Sequence, residues 1–134
     1  KGIVKKDFIL TNCDTYTEAN IYDLMEFHKK NKFLITLVAA PKINDIPFGV
    51  CELHPNGNLK NINEKVHMTN LINIGLYVIN PKVLNMIPAN KYLDITELIN
   101  KIGKSDDQIG VFPIDAKLWK DVGQWDNYFK ALED

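Results

Sequence analysis

Phe33-Leu34-Ile35-Thr36-Leu37-Val38-Ala39-Ala40 is the stretch that decides the fold. Seven of its eight residues are apolar, and they do not alternate with polar ones. A strand of that kind is buried on both faces, as in a parallel sheet covered by helices. Upstream, Phe8-Ile9-Leu10-Thr11 reads as a second buried strand, ending in Asn12-Cys13-Asp14. Between the two, Thr15-Tyr16-Thr17-Glu18 has the spacing of a capping box. A helix is predicted from there to about Lys30, with Ile21, Leu24, Met25 and Phe27 on its apolar face. Strand, helix and strand together make a βαβ unit.

Downstream, Phe48–Leu53 and Asn58–Asn63 read as a hairpin around the turn His54-Pro55-Asn56-Gly57. Leu71–Ile79 is a further strand, and Asn80-Pro81 opens a short helix. Asp94-Ile95-Thr96-Glu97 is a capped helix start, with Ile95, Leu98, Ile99 and Ile102 on one face and Gly103 as its stop. Ile109–Ile114 and Lys117–Lys120 are predicted strands, and Trp125, Tyr128, Phe129 and Leu132 mark a closing helix. The fold class is α/β: a Rossmann-like mixed sheet, parallel in its first part, with flanking helices.

The 134 residues allow one domain. With 46% hydrophobic and 25% charged residues the composition is that of a globular chain, which argues against disorder. No apolar run approaches the ~20 residues that span a bilayer. The net charge is −1 and no basic cluster stands out, which argues against a nucleic-acid or anionic-membrane surface. Cys13 and Cys51 form no CxxC and no disulfide scaffold, which fits a reducing cytoplasm.

Two aspartates stand where chemistry is expected. Asp14 follows the carboxyl end of a buried strand, the edge at which open α/β sheets bind ligands. Asp121, in Trp119-Lys120-Asp121-Val122-Gly123, again lies between a strand end and a helix. Such carboxylates can hold Mg²⁺ against phosphates, or simply cap turns. Glu64-Lys65 pairs a sugar-hydroxyl acceptor with a phosphate-binding cation, or is a solvated ion pair. His28, on a helix edge, His54 and His67 share no metal-ligand spacing, and Cys13 reads as packing. GxGxxG, Walker A and GxSxG motifs are absent.

Taken in order, these segments resemble the sugar-phosphate nucleotidyltransferases, the nucleoside-diphosphate-sugar pyrophosphorylases. The resemblance rests on Phe8–Asp14, Ile46-Pro47-Phe48-Gly49-Val50, Glu64-Lys65-Val66, Asn73-Ile74-Gly75-Leu76-Tyr77, Asp94–Ile99 and Trp119–Gly123. Asn12-Cys13-Asp14 and Asp121-Val122-Gly123-Gln124-Trp125 look most like a bacterial glucosamine/mannose-1-phosphate guanylyltransferase branch that makes GDP-linked amino-sugar precursors. The resemblance implies the reaction NTP + sugar 1-phosphate ⇌ NDP-sugar + pyrophosphate, with GTP as the nucleotide of that branch. It implies that Asp14 and Asp121 bind Mg²⁺, that Lys65 contacts the sugar phosphate, and that Glu64, Gly49 and Asn73 read the sugar. Val66 stands where the family has Pro, and Ile74 where it has Thr, so the sugar contacts are expected to differ.

The family's Gly-rich triphosphate loop with Thr-Arg-Leu has no counterpart here. The resemblance therefore covers the C-terminal, metal- and sugar-binding part of the catalytic domain, residues 1–134. The chain alone is expected to be an inactive fragment. A non-catalytic regulatory or sugar-nucleotide-binding module is the alternative reading. A glycosyltransferase with a metal Asp is a third, although Asn12-Cys13-Asp14 is only half of an Asp-x-Asp. A sheet without its first strands exposes Phe8–Thr11 or Phe33–Ala40, which another copy would cover. Sedimentation at high concentration is expected to show self-association of the 134-residue chain, and a strictly monomeric species would contradict this.

Overall fold

A computed structural model describes residues 3–104 and 108–123. The chain divides into two units, residues 1–40 with 73–134, and residues 41–72. Among the described residues no helix is long and apolar enough to cross a membrane. The predicted helix around Trp125–Leu132 lies outside the described residues.

In the first unit, β1 (Phe8–Thr11), β3 (Ile35–Ile46), β6 (Val66–Ile79) and β7 (Ile109–Pro113) form a sheet in the order β1-β6-β3-β7. β3 and β7 are parallel, Ile35 opposite Ile109, whereas β1 is antiparallel to β6, Phe8 opposite Ile79. The Asn80 N–H donates to the Leu34 carbonyl at 2.8 Å, so the end of β6 meets the beginning of β3. The mixed sheet is as the sequence implies. The βαβ reading needs correction, because β6 lies between β1 and β3. Of the two strands expected to be bare, Phe8–Thr11 is at the sheet edge, with Ile9 40% and Leu10 42% exposed, whereas β3 lies inside the sheet.

Strand periodicity sorts the core onto two faces. Ile74, Leu76 and Val78 of β6 and Val38 and Ala40 of β3 pack with Leu24 of α1 (Ile21–Asn31). Tyr77 and Ile79 of β6 and Ile35 of β3 pack on the other face with Val83, Leu98 and Ile102. Leu98 and Ile102 belong to α2 (Ile95–Ile102), and Val83 to a short 3₁₀ turn, Pro81–Met86. This accounts for the unbroken apolar run in 33–40: both sides of β3 are covered. Each fully buried Val, Leu or Ile side chain contributes roughly 1.5–3 kcal/mol.

The capping signals divide. Asp94 caps α2, accepting the Thr96 N–H, and Gly103 ends it. Asn80 caps the 3₁₀ turn. The predicted capping box is not one, because residues Thr15–Thr17 form a strand, β2. The Thr15 hydroxyl donates to the Ile74 carbonyl and that of Thr17 to the Leu118 carbonyl, so tertiary partners take both groups. The true cap of α1 is Asn20, which accepts from the Tyr22 and Asp23 N–H groups. β2 pairs antiparallel with β8 (Trp119–Asp121), which follows a 3₁₀ turn, Ala116–Leu118. Cys13, expected to pack, is exposed, because the chain has left the sheet edge there.

The second unit holds 41–46 of β3, 66–72 of β6, and the hairpin of β4 (Val50–Leu53) and β5 (Leu59–Asn63). Gly57 takes φ +86° in the predicted turn, and its N–H donates to the His54 carbonyl at 2.9 Å.

His28, in the last turn of α1, is buried: it is 1% exposed, with Nδ1 2.8 Å from the Thr36 hydroxyl. Burial holds its pKa below the ordinary value, against the pull of Asp7 and with the help of Lys29. The unfolded chain therefore binds a proton that the folded chain resists. Stability supplied by neutral His28 is complete above about pH 6.5 and declines as pH falls through that value. Urea titrations should show the native chain losing up to about 1.4 kcal/mol per pH unit below that point, relative to His28→Gln. Parallel pH profiles for the two proteins would contradict this.

Candidate functional site

Asp14 and Asp121 are 107 positions apart in sequence, yet the β2–β8 ladder brings them together. Thr15 pairs with Asp121, so Asp14 lies one residue outside that pair. The Val122 N–H donates to the Asp14 carbonyl at 3.0 Å and closes the end of the ladder. The Gly123 N–H donates to Asp121 Oδ1 at 2.9 Å. A side chain on Gly123 would begin 2.7 Å from Asp14 Oδ2 and 3.2 Å from Asp121 Oδ1. Both carboxylates thus border a space that exists because residue 123 has no Cβ.

That space suits a small hard cation. Among the described residues no group of three or more His, Cys, Asp or Glu side chains forms a metal cage. Mg²⁺ does not need one: it commonly takes one or two carboxylates and fills its other positions with water and substrate phosphate oxygens. Asp14 Oδ2 and Asp121 Oδ1 are the atoms that would hold it.

The aspartates open onto a cleft of about 440 Å³ in the first unit. Asn12, Asn73, Gly75, Tyr77, Asp94 and Trp119 also line it. Asn73 is fixed by two bonds: Nδ2 donates to the Tyr77 hydroxyl at 2.7 Å, and Oδ1 accepts the Gly75 N–H at 3.0 Å. Gly75 has φ +79°, and a Cβ there would come within 2.5 Å of the Asn12 side chain. The Asn12 N–H donates to the Gly75 carbonyl at 2.9 Å, so the two backbones are clamped at this point. Position 74, where an Ile replaces a hydroxyl residue, is 3% exposed and packs in the α1-side core.

Asp94 enters the cleft from the start of α2. Its Oδ1 accepts from both the hydroxyl and the N–H of Thr96, each at 2.7 Å. The Thr96 hydroxyl, followed by the Thr96 N–H, holds the carboxyl below the usual Asp range. The sequence marks this residue as a helix cap and as part of the Asp94–Ile99 family segment, without a role in the cleft. No local pattern says that the start of α2 faces the two aspartates.

The other three candidates lie in the second unit. A Cβ on Gly49 would sit 2.9 Å from Glu64 Oε1, so glycine is what lets the two residues approach. Lys65 is exposed and takes φ +49° between β5 and β6. Proline at 66 would drive residue 65 toward extended backbone, so Val66 is compatible with this turn.

The sequence profile of the nucleotidyl transferase family matches residues 2–134. The chain belongs to that family. It is 32% identical over 130 residues to mannose-1-phosphate guanyltransferase 2 of Candida glabrata, covering 91% of this chain and 35% of that protein. It is 30% identical over 135 residues to a mannose-1-phosphate guanyltransferase of Schizosaccharomyces pombe, covering 96% and 37%. The chain thus spans about a third of the length of these relatives. Among solved structures it resembles HddC of Yersinia pseudotuberculosis, with TM-score 0.61 and 23% identity, over 96% of this chain and 55% of that one. HddC has also been solved with GMP-PN. These structures have the nucleotide-diphospho-sugar transferase type of fold, in keeping with the Rossmann-like mixed sheet expected from the sequence.

Gly75→Ala should destabilise the first unit by about 2 kcal/mol or more in urea titrations, through the positive φ and the clash with Asn12. A loss below about 0.5 kcal/mol would show that the clamp yields freely.

Proposed function

We propose that this chain is the metal- and sugar-binding part of a nucleotidyltransferase that forms an NDP-sugar and pyrophosphate from an NTP and a sugar 1-phosphate. The observation that carries the reading is the convergence of Asp14 Oδ2 and Asp121 Oδ1 around Gly123. In-line attack of a sugar-phosphate oxygen on the α-phosphorus needs positioning and charge neutralisation more than covalent help. Bound there, Mg²⁺ would draw the reacting phosphates together and offset their charge. Asp14 and Asp121 supply its anchoring oxygens: the Gly123 N–H orients the Asp121 carboxylate, and the Val122 N–H holds the Asp14 main chain beside it.

Asn73 presents its amide from a fixed rotamer, so sugar hydroxyls meet a preorganised donor and acceptor. Gly49 and Glu64 supply a second hydroxyl-reading pair, and Lys65 a point charge for the sugar phosphate. We take GTP as the nucleotide, since the relatives at 30–32% identity are guanyltransferases by name. The resemblance of the Asn12-Cys13-Asp14 and Asp121–Trp125 segments to the bacterial glucosamine/mannose-1-phosphate guanylyltransferase branch favours an amino- or manno-configured hexose 1-phosphate. The Gly-rich triphosphate loop of the family is missing from these residues, so turnover is assigned to a chain that also carries that loop, and the 134 residues alone are inactive.

Mg²⁺-dependent pyrophosphate release by the longest natural chain carrying this sequence tests the reading, with each NTP against a panel of hexose and aminohexose 1-phosphates. One nucleotide–sugar pair should dominate, and Asp14→Asn or Asp121→Asn should each lower its rate at least about 100-fold. Release by a folded chain that survives both substitutions would remove the metal assignment. No release with any pair would favour the non-catalytic binding module.

A further inference from the structure

Two adjoining cavities, of about 510 and 330 Å³, lie at the end of the β1–β6 pair away from the aspartates. They share Asp7, Lys29, Asn80 and Lys82 as walls. Lys5 and Lys6 line the larger, and Lys32 and His28 the smaller. Five lysines from three parts of the chain thus converge on ground that holds a single carboxylate. All are exposed, and among the described residues none is paired with an acidic side chain.

The one carboxylate is already engaged, since Asp7 Oδ1 accepts from Asn80 Nδ2 at 3.0 Å. The wall behind it is a buried imidazole, 1% exposed, whose Nε2 lies 3.9 Å from Asp7 Oδ1 and has no hydrogen-bond partner. The pocket therefore has a polar, uncharged floor, a fixed acceptor and an excess of positive charge.

From these residues we infer a second binding site, one for an oligophosphate anion: a chain of two or three phosphoryl groups, free or carried by a nucleotide. Lysine is a compact point charge suited to phosphate oxygens. Five of them around one carboxylate leave about four positive charges uncompensated. A single phosphate, at about two negative charges, neutralises half of that, whereas a tri- or diphosphate matches it. The site is separate from the aspartate cleft. Asp7 precedes β1 and Asn12 follows it, five residues or roughly 17 Å further along extended chain. The aspartate cleft repels the same anions unless a cation is present, so metal-free conditions silence it, and the lysine substitutions distinguish the pocket from the triphosphate loop of a longer chain. The inference stands whether or not the proposed reaction is correct.

The test is calorimetric titration of the longest natural chain with inorganic tripolyphosphate in EDTA buffer, against Lys6→Gln/Lys29→Gln/Lys82→Gln. The control is Lys101→Gln/Lys104→Gln/Lys117→Gln, an equal loss of charge elsewhere. Saturable binding should weaken about tenfold or more in the first variant and less than about twofold in the control. Equal weakening in both would reduce the site to net charge and overturn it. So would tripolyphosphate that fails to bind while anionic vesicles or RNA do. An NTP with the affinity of tripolyphosphate would mean that phosphate alone is read, and a tighter NTP that a nucleoside is held as well. Amide shifts in the unmodified protein guard against a variant that does not fold. Tripolyphosphate should move Lys29, Asn80 and Lys82 and leave Asn73 and Asp121 in place, and the reverse pattern would overturn the site.

Discussion

The ladder between Thr15–Thr17 and Trp119–Asp121 is the constraint on which the candidate site depends. It is only three residues long, yet it joins segments that are otherwise a chain length apart. Of its end bonds, Val122 N–H to the Asp14 carbonyl holds the main chain of residue 14 in place, and Gly123 N–H to Asp121 Oδ1 fixes the second carboxylate. The side-chain hydroxyls of Thr15 and Thr17 fasten the same strand to Ile74 and Leu118. Each such bond adds only about 0.5–1.5 kcal/mol net, so the ladder acts through geometry more than through stability.

The sheet gives that ladder a rigid base. β6 is its central element, sending Ile74, Leu76 and Val78 into one core and Tyr77 and Ile79 into the other. At Gly75 the strand adopts a positive φ and admits Asn12. The turn that leads from β1 to Asp14 is thereby clamped against the middle of the molecule. Asn73, two residues away, uses its amide to brace the same bend. Core packing, strand irregularity and cleft are one continuous arrangement, and a change at Gly75 would be felt at Asp14.

Charge is arranged along the same strands. Asp14, Asp94 and Asp121 gather at one end of the β1–β6 pair, and Lys5, Lys6, Lys29, Lys32 and Lys82 at the other. A net charge of −1 conceals this separation. The acidic end would attract cations and the basic end anions.

The sequence by itself determined the elements whose signals are local. The unbroken apolar run at 33–40, the hairpin turn at Gly57, and the caps Asn80, Asp94 and Gly103 depend on neighbours a few residues away, and each is found where its pattern lies. Ordered motifs also disclosed the family. Tertiary structure decided the rest. Thr15 and Glu18 have the letters of a capping box, but the hydroxyl of Thr15 meets the Ile74 carbonyl, and a partner 59 residues away outweighs a local preference. β6 comes between β1 and β3 because buried side chains cover both of its faces, Ile74, Leu76 and Val78 on one and Tyr77 and Ile79 on the other, whereas β1 leaves Ile9 and Leu10 exposed at the edge. Asp94 as a cleft residue, His28 as a buried one and the five lysines as a cluster were illegible for one reason. Each depends on distances between segments that only packing sets, and periodicity along the chain carries no record of them.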